Sequence, residues 1–306
     1  MFMHDVSLKS YSSYRIGGKA KHFFEAKTEK LLIEALEEAE REKLAVFILG
    51  GGTNILFSDK GFNGLVLKPS FENIEVSGDT IRAGAGALMK NVIEASIKAG
   101  LSGLEWAGGL PGTFGGAIRG NAGAFGGEMK DAIQTVRSIN VKTREILDRE
   151  HKDCHFGYRM SVFKEKGDEV ILFATLALQK GDGAAIKNAV EEKIRYRNDR
   201  HPMEYPNVGS IFKNVDARGM SEADLKPFAR VIKNDPFPVI PTAYLLSEAG
   251  LKGVSFGGAM FSPKHPNFIV NVLNASESDV RTLIELGKQT IKEKFGIDLE
   301  EEVMYV

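Results

Sequence analysis

Two glycine-rich segments contain residues whose types and spacing could do chemistry. One is Gly50-Gly51-Gly52-Thr53-Asn54, and the other extends from Gly103 to Gly127 and holds 10 of the 33 glycines of the 306-residue chain. Successive glycines leave backbone N–H groups unobstructed by side chains, which suits the binding of phosphate oxygens. From the residues alone, the alternative that each segment forms tight turns between short strands stays open.

Neither segment matches the two common nucleotide-binding motifs. Glycine nowhere falls at positions i, i+2 and i+5, and no Gly-Lys-Ser/Thr follows a glycine-rich loop. The sequence therefore lacks both the dinucleotide fingerprint and the P-loop. A dinucleotide bound here would need another fold.

Three polar side chains are candidates for catalysis, and each has an ordinary structural alternative. Arg159 lies among aromatic and apolar residues, where a guanidinium needs an anionic or carbonyl partner from the protein or from a ligand. Ser210 is not part of a Gly-x-Ser-x-Gly elbow, so by itself it indicates a turn. Glu302 ends a run of three glutamates, a pattern typical of a solvated surface.

The composition is that of an ordinary globular protein. Hydrophobic residues make up 43% and charged residues 26%, and the net charge of -1 provides no field for nucleic acid. The chain shows no apolar stretch long enough for membrane insertion, and its single cysteine, Cys154, excludes an internal disulfide. No metal-binding motif is present. We expect a cytoplasmic protein without a metal, a nucleic-acid partner or a membrane anchor.

The elements that must position the candidate residues follow an α+β pattern. Apolar periodicity and capping residues predict helices that alternate irregularly with short strands, which favours several small sheets over one doubly wound sheet. The predicted helices cover residues 29–39, 88–99, 184–197, 243–249 and 277–295. The predicted strands cover residues 23–26, 45–49, 65–68, 74–76, 80–83, 133–141, 170–179 and 268–271. Residues 195–206, basic and rich in proline, indicate an interdomain crossing.

An ordered set of motifs resembles one family nearly end to end. The set is Arg15-Ile16-Gly17-Gly18, Leu49-Gly50-Gly51-Gly52-Thr53-Asn54, the stretch from Gly108 to Glu128, Phe156-Gly157-Tyr158-Arg159-Met160-Ser161, Gly209-Ser210-Ile211-Phe212-Lys213-Asn214, Ala249-Gly250-Leu251-Lys252-Gly253 and Leu299-Glu300-Glu301-Glu302-Val303. On these motifs the chain closely resembles the UDP-N-acetylenolpyruvoylglucosamine reductases, in the shorter of the family's two forms.

The resemblance implies a three-domain flavoprotein. Residues 1–70 and 71–200 would form a two-domain FAD-binding scaffold of the non-Rossmann (PCMH/VAO-like) type. Residues 201–296 would form a third, α+β domain that binds the UDP-sugar substrate, and the tail 297–306 would return to the first domain. FAD is the implied cofactor, NADPH is the implied hydride donor, and a monomer or weak oligomer is expected.

The resemblance also assigns roles to individual residues. Arg159, Ser210 and Glu302 match the family's catalytic arginine, serine and glutamate. Lys213, Asn214 and Arg200 are the candidates for substrate binding. The implied cofactor-binding residues are Gly50, Gly51, Gly52, Thr53, Asn54, Gly108, Gly109, Pro111, Gly112, Gly115, Gly116, Asn121 and Gly123. Phe125 stands where relatives often carry tyrosine, which removes any hydrogen bond from that hydroxyl.

The implied reaction is the NADPH-dependent reduction of UDP-N-acetylglucosamine enolpyruvate to UDP-N-acetylmuramate through bound FAD, a step of peptidoglycan precursor synthesis. Two alternatives remain at the level of sequence. One is another FAD-dependent oxidoreductase on the same scaffold. The other is a catalytically silent nucleotide-sugar binding protein, against which the presence of all three catalytic residues argues.

Overall fold

The computed structural model describes all 306 residues and contains eight α-helices. In chain order, α1 to α8 are Glu29–Arg41, Met89–Ala99, Phe114–Arg119, Val162–Glu165, Gly183–Arg200, Glu222–Leu225, Thr242–Glu248 and Glu277–Phe295. Side chains cap several of them, as the sequence predicts: Thr28 accepts a 3.2 Å bond from the Leu31 N–H at the start of α1, and Ser276 forms a capping box with Asp279 at the start of α8. None of the helices is both long enough and apolar enough to span a membrane.

Twenty-one short strands complete the fold. In chain order, β1 to β21 are Met3–Ser7, Lys19–Ala26, Val46–Ile48, Ile55–Leu56, Phe62–Pro69, Ile74–Ser77, Thr80–Gly84, Leu101–Ser102, Gly123–Ala124, Gly127–Glu128, Ile133–Asn140, Ile146–Glu150, Glu169–Ala177, Gln179–Lys180, Val215–Asp216, Lys233–Asn234, Pro238–Ile240, Ser255–Phe256, Ala259–Phe261, Ile269–Asn271 and Met304–Tyr305. They form seven separate sheets of two to five strands. The predicted α+β class with several small sheets is confirmed.

The chain divides into two compact units. Unit 1 consists of Met1–Val6, Ala20–Gly51 and Asn63–Tyr196, and unit 2 of Ser7–Lys19, Gly52–Phe62 and Arg197–Val306. The first glycine-rich segment therefore contains one boundary, between Gly51 and Gly52. Another boundary lies inside α5, after Tyr196.

Unit 1 is built on two main sheets. One has the strand order β1-β2-β5-β3, and the other has the order β12-β11-β13-β7-β6. Leu32 and Leu36 on one face of α1 are buried together with Leu172 of β13, which continues the core from the first sheet to the second. Helices α2 and α3 contribute to a second core on the five-stranded sheet. This core supports the glycine-rich stretch that follows α2.

Unit 2 is organised around the long helix α8. Leu283 and Ile284 of this helix are fully buried in one cluster with Phe212, Leu246 and Phe261. Small three-stranded sheets, β15-β17-β16 and β18-β19-β20, lie in this unit, together with the parallel pair β21-β4. Through this last pair, Met304 and Tyr305 of the C-terminal tail align with Ile55 and Leu56.

The predicted helices are all present, within a few residues of the expected ends. The largest difference is at α5, which continues to Arg200. The predicted interdomain crossing at residues 195–206 is therefore helical in its first half, and it contains the boundary between Tyr196 and Arg197. The sequence patterns located eight of the 21 strands and missed the others, β12 among them, and they also missed the short helices α3, α4 and α6. Helix α3 reads Phe-Gly-Gly-Ala-Ile-Arg, and its two glycines disfavour helix in any estimate from local propensity.

Candidate functional site

The first glycine-rich segment connects β3 to β4 and packs against the second one. A Cβ atom added to Gly51 would lie 2.6 Å from the Cα of Gly112, and one added to Gly50 would lie 2.9 Å from Oγ1 of Thr113. No side chain fits at such distances, so glycine is required for the two backbones to approach. The structure thus brings together the predicted cofactor residues Gly50, Gly51 and Gly112.

The backbone of the first segment keeps its donors free of protein acceptors. None of the N–H groups of residues 50–54 donates a hydrogen bond within the protein. Buried or ligand-facing N–H groups require a partner, and consecutive N–H groups of this kind suit an anion. This donor set fits the diphosphate of a dinucleotide such as FAD.

The backbone of the second segment is largely satisfied within the protein. Thr113 caps α3, and the N–H groups of Phe114 and Gly115 donate to the carbonyl groups of Ala87 and Ala85 at 2.8 and 2.9 Å. A Cβ at Gly115 would lie 2.7 Å from that of Ala85, so this glycine is needed for close packing against Ala85 within unit 1. Pro111 has no N–H group and is exposed.

Arg159 is held in a tight turn by its neighbours. Gly157 and Met160 exchange backbone hydrogen bonds of 3.0 and 3.1 Å, and Arg159 between them has a left-handed φ of 54°. Its Nη2 donates a 2.8 Å bond to the carbonyl of Gly123, while Lys164 Nζ donates a 2.9 Å bond to the carbonyl of Arg159. A strained backbone fixed from both sides is a common property of functional turns.

Ser210 and Glu302 lie on backbone segments that pair with each other. The N–H of Glu302 donates a 2.7 Å bond to the carbonyl of Ile211, and Phe212 forms an antiparallel bridge with Glu301. Two of the three predicted catalytic residues, separated by more than ninety positions in sequence, are thereby neighbours within unit 2. Arg159 belongs to unit 1.

The three glutamates before Val303 are not a freely solvated run. Glu300 pairs with Lys213, and Glu301 pairs with Lys288 and accepts a hydrogen bond from the Tyr305 hydroxyl. Burial and this bond to Glu301 raise the pKa of Tyr305. The tail that carries Glu302 is therefore fixed by side chains on both sides of it.

The predicted substrate-binding residues have different environments. Lys213 and Asn214 lie three and four residues after Ser210, and both contact Thr242 of α7. The Thr242 hydroxyl donates a 2.5 Å hydrogen bond to the Lys213 carbonyl, and the Thr242 N–H donates a 3.2 Å hydrogen bond to Asn214 Oδ1. The carbonyl of Glu300 accepts the N–H of Lys213 at 2.9 Å. Arg200 is exposed at the end of α5.

Cys154 is a buried free thiol that donates a 3.5 Å hydrogen bond to the carbonyl of Glu150. Burial raises its pKa to about 12, so the reactive thiolate is scarce at neutral pH. No sequence motif gives this cysteine a role, and its environment indicates a packing residue.

Asn267, which no sequence motif marks as functional, lies against the Ser210 segment. Its carbonyl accepts the N–H of Ile211 at 2.8 Å, and its side-chain amide exchanges bonds of 3.0 and 2.9 Å with the backbone of Phe212. The sequence around Asn267 carries no local signal of this role, and its partner Phe212 is more than fifty residues away. Pattern analysis of a single sequence does not detect such a pair.

Comparison with known proteins places both halves of the chain in described families. Residues 20–146 match the model of an FAD binding domain, and residues 201–306 match that of the UDP-N-acetylenolpyruvoylglucosamine reductase C-terminal domain. The chain is 37% identical over 300 residues to UDP-N-acetylenolpyruvoylglucosamine reductase of Caldanaerobacter subterraneus, a match that covers 98% of this chain and 91% of that protein. It is 34% identical to the reductase of Solibacter usitatus, over 98% of this chain and 95% of that protein.

A solved structure has the same fold over the full length. The UDP-N-acetylenolpyruvylglucosamine reductase of Thermus caldophilus superposes with a TM-score of 0.78 at 28% identity, covering 100% of this chain and 99% of that one. Its similarity agrees with the FAD-binding scaffold and the C-terminal domain that the family models identify. The chain therefore belongs to the UDP-N-acetylenolpyruvoylglucosamine reductase family.

Proposed function

We propose that this protein reduces UDP-N-acetylglucosamine enolpyruvate to UDP-N-acetylmuramate, with FAD as cofactor and NADPH as hydride donor, in peptidoglycan precursor synthesis. Family membership over nearly the whole chain supports this reaction. The observation that carries the catalytic assignment is the 2.7 Å bond from the Glu302 N–H to the Ile211 carbonyl, which places Glu302 beside the segment of Ser210.

FAD would be held mainly by the backbone N–H groups of residues 50–54. These groups have no acceptors within the protein, and consecutive N–H groups of this kind suit an anion. Gly109 and Gly112 have left-handed φ values of 72° and 99°. They would form the part of the FAD site that the second segment contributes. The chemistry that FAD supplies when bound is hydride transfer, with NADPH as the source.

Arg159 stabilises the charge that develops during reduction. Hydride addition to the terminal carbon of the enolpyruvyl group leaves negative charge on the carbon next to the carboxylate. A guanidinium oriented by the Gly123 carbonyl meets this charge without reorganising, an effect commonly worth about 3 kcal/mol. Because the charge is greater in the transition state than in the substrate, the interaction accelerates the reaction.

Ser210 donates the proton that completes the reduction. Its hydroxyl is a weak acid in water, but a carbanionic carbon is far more basic and can take the proton. Glu302, fixed beside this segment, completes the electrostatic environment of the proton transfer. Hydride at one carbon and a proton at the other convert the double bond to the lactyl ether of the product.

The remaining assignments belong to the same proposal. Lys213, Asn214 and Arg200 contact the UDP-sugar, and the chain is organised as the three domains 1–70, 71–200 and 201–296 with the tail 297–306 on the first. The pairing of Met304 and Tyr305 with Ile55 and Leu56 supports the position of the tail. A cytoplasmic location and a monomeric or weakly oligomeric state are further parts of the proposal.

Stopped-flow measurement of Ser210→Ala tests the catalytic assignment. Under anaerobic conditions, NADPH should reduce the bound flavin of the variant at the rate of the unaltered protein. Reoxidation by the enolpyruvyl sugar should be slower by about 10²-fold or more, since general-acid catalysis commonly contributes that much. Equal loss in both half-reactions would contradict the role of Ser210. If the unaltered protein showed no flavin absorption, or its reduced flavin did not react with the sugar, the proposed reaction itself would be wrong.

A further inference from the structure

Three asparagine side chains hold the backbone segments that carry Arg159, Ser210 and Glu302. They are Asn121, Asn267 and Asn54, and each belongs to a different part of the chain. We propose that these amides are positioning residues for the reaction assigned above, one for each catalytic segment. The proposal rests on that assignment and adds residues that act through the backbone of others.

Asn121 fixes the turn of Arg159. This side chain is fully buried, its Nδ2 donates a 2.8 Å bond to the carbonyl of Gly157, and its Oδ1 accepts a 3.0 Å bond from the N–H of Lys130. Gly157 closes the turn in which Arg159 lies. Because both ends of the amide have protein partners, Asn121 contributes to the flavin site through Arg159 and not as a side-chain ligand of FAD.

Asn267 fixes the segment of Ser210. Its side chain is 3% exposed, and it both accepts from and donates to the backbone of Phe212, in the manner of a neighbouring strand. Its own carbonyl binds the N–H of Ile211. The two residues after Ser210 are therefore held by one asparagine, which limits the positions open to the Ser210 hydroxyl.

Asn54 fixes the segment of Glu302. Its Nδ2 donates a 3.0 Å bond to the carbonyl of Glu302, and its carbonyl accepts a 3.1 Å bond from the N–H of Met304. The N–H of Asn54 has no protein acceptor and stays free for an anion. One residue of the first glycine-rich segment thus joins the proposed diphosphate donors to the tail of Glu302.

Amides suit this task because they provide a donor and an acceptor in one rigid plane without a charge. A buried charged group in the same place would cost more free energy and would change the electrostatics at the reacting carbon. Small errors in the position of a catalytic group, of the order of 1 Å, cost about 10²-fold in rate. The three asparagines therefore act on rate and not on substrate affinity.

The test compares Asn121→Ala with a matched control, Asn271→Ala. Asn271 is also buried, and both ends of its amide bond to backbone groups. Its Nδ2 donates a 3.0 Å hydrogen bond to the Tyr14 carbonyl, and its Oδ1 accepts a 2.8 Å hydrogen bond from the Ala275 N–H. Its side-chain amide bonds to none of the three catalytic segments. Both variants lose two hydrogen bonds, so both should unfold at lower temperature. Activities are measured well below both unfolding temperatures.

We expect Asn121→Ala to lower kcat by about 10- to 100-fold, with KM for the sugar and the dissociation constant of FAD changed by less than about threefold. Flavin reduction by NADPH should be unchanged and reoxidation by the sugar slowed. Asn271→Ala should keep the kcat of the unaltered protein. Asn54→Ala, at a partly buried position, should show the same slow reoxidation and is the second variant if Asn121→Ala does not fold.

Three results would overturn the proposal. One is an unaltered kcat in Asn121→Ala and Asn54→Ala, and another is an equal loss in the Asn271→Ala control. The third is a raised FAD dissociation constant with kcat restored at saturating FAD, which would make these asparagines cofactor ligands. In each case, normal turnover by the unaltered protein would show that the proposed reaction still holds. Failure of the positioning role is thereby distinguishable from failure of the proposed reaction.

Discussion

The two glycine-rich segments look alike in sequence but use their glycines differently. In residues 50–54, no backbone N–H has an acceptor within the protein. In residues 114–122, the N–H groups are used by α3, by its cap and by the backbone of Ala85 and Ala87. The first segment therefore offers donors to a ligand, whereas most of the second is part of the packed interior.

The steric environment of the glycines does not separate the two segments. In the first segment, a Cβ added to Gly52 would lie 1.9 Å from the Tyr11 carbonyl oxygen, and one added to Gly51 would lie 2.6 Å from the Cα of Gly112. In the second segment, Cβ atoms added at several positions would also collide with surrounding residues, as at Gly127, where Trp106 ring atoms would lie 2.4 Å away. A Cβ added to Gly108 would similarly lie 2.5 Å from the carbonyl oxygen of Val190. Glycine density alone consequently does not identify a cofactor loop. The free N–H groups make the distinction, because they require a partner that the protein does not supply.

The largest expected effect concerns which part of the cofactor the first segment binds. Two hydrogen bonds from N–H groups to charged phosphate oxygens contribute about 4 kcal/mol together, or about 10³-fold in affinity. The flavin-free protein should therefore bind FAD about 10³-fold more tightly than riboflavin, measured by fluorescence titration. ADP should compete with FAD, and adenosine, the control that lacks phosphate, should not. Riboflavin affinity within tenfold of that of FAD, together with competition by adenosine, would remove the contrast between the segments.

Gly127→Ala tests the packing role of the second segment. The new methyl group would overlap Trp106, whose side chain is only 8% exposed and has little room to move. Overpacking of this kind costs about 3 kcal/mol. Urea denaturation of the flavin-free protein should show this loss, while the dissociation constant for FAD measured under native conditions should change little. Lost FAD binding with unaltered stability would instead make Gly127 part of the cofactor site.

Much of the fold follows from the sequence because its signals are local. Thr28 and Ser276 begin helices where capping chemistry predicts, and Gly100 and Gly296 end helices in left-handed conformations, as glycine allows. Apolar runs likewise located the four longest strands, β2, β5, β11 and β13, but missed most strands of two or three residues. Helix α3 was missed because it is held by tertiary contacts that override the poor helix propensity of its glycines.

The candidate site was predictable in its residue types but not in its supports. Arg159, Ser210 and Glu302 were named through a family resemblance, since their local patterns alone favour ordinary structural roles. The bonds that orient them come from Gly123, Asn267 and Asn54, which lie far away in sequence. Such pairs depend on the final fold, and no periodicity or composition encodes them.

Gly120→Ala carries the smallest expected effect and the opposite sign. Gly120 ends α3 with φ -85° and ψ -3°, which alanine adopts readily, and its added Cβ would lie 3.6 Å from the Gly116 carbonyl, an ordinary contact. The substitution restricts the unfolded chain and should raise the free energy of unfolding by about 0.5 kcal/mol.

The matched control is Gly126→Ala, where the Cβ meets nothing within 4 Å but φ is +82°. That variant should lose about 1 kcal/mol from backbone strain alone. Neither variant should alter FAD affinity, as measured by titration, because neither position supplies a free donor to the ligand in our assignment. A loss of FAD binding in Gly120→Ala at unchanged stability would show that the second segment acts as a cofactor loop beyond Gly112, and the contrast between the two segments would then be one of degree.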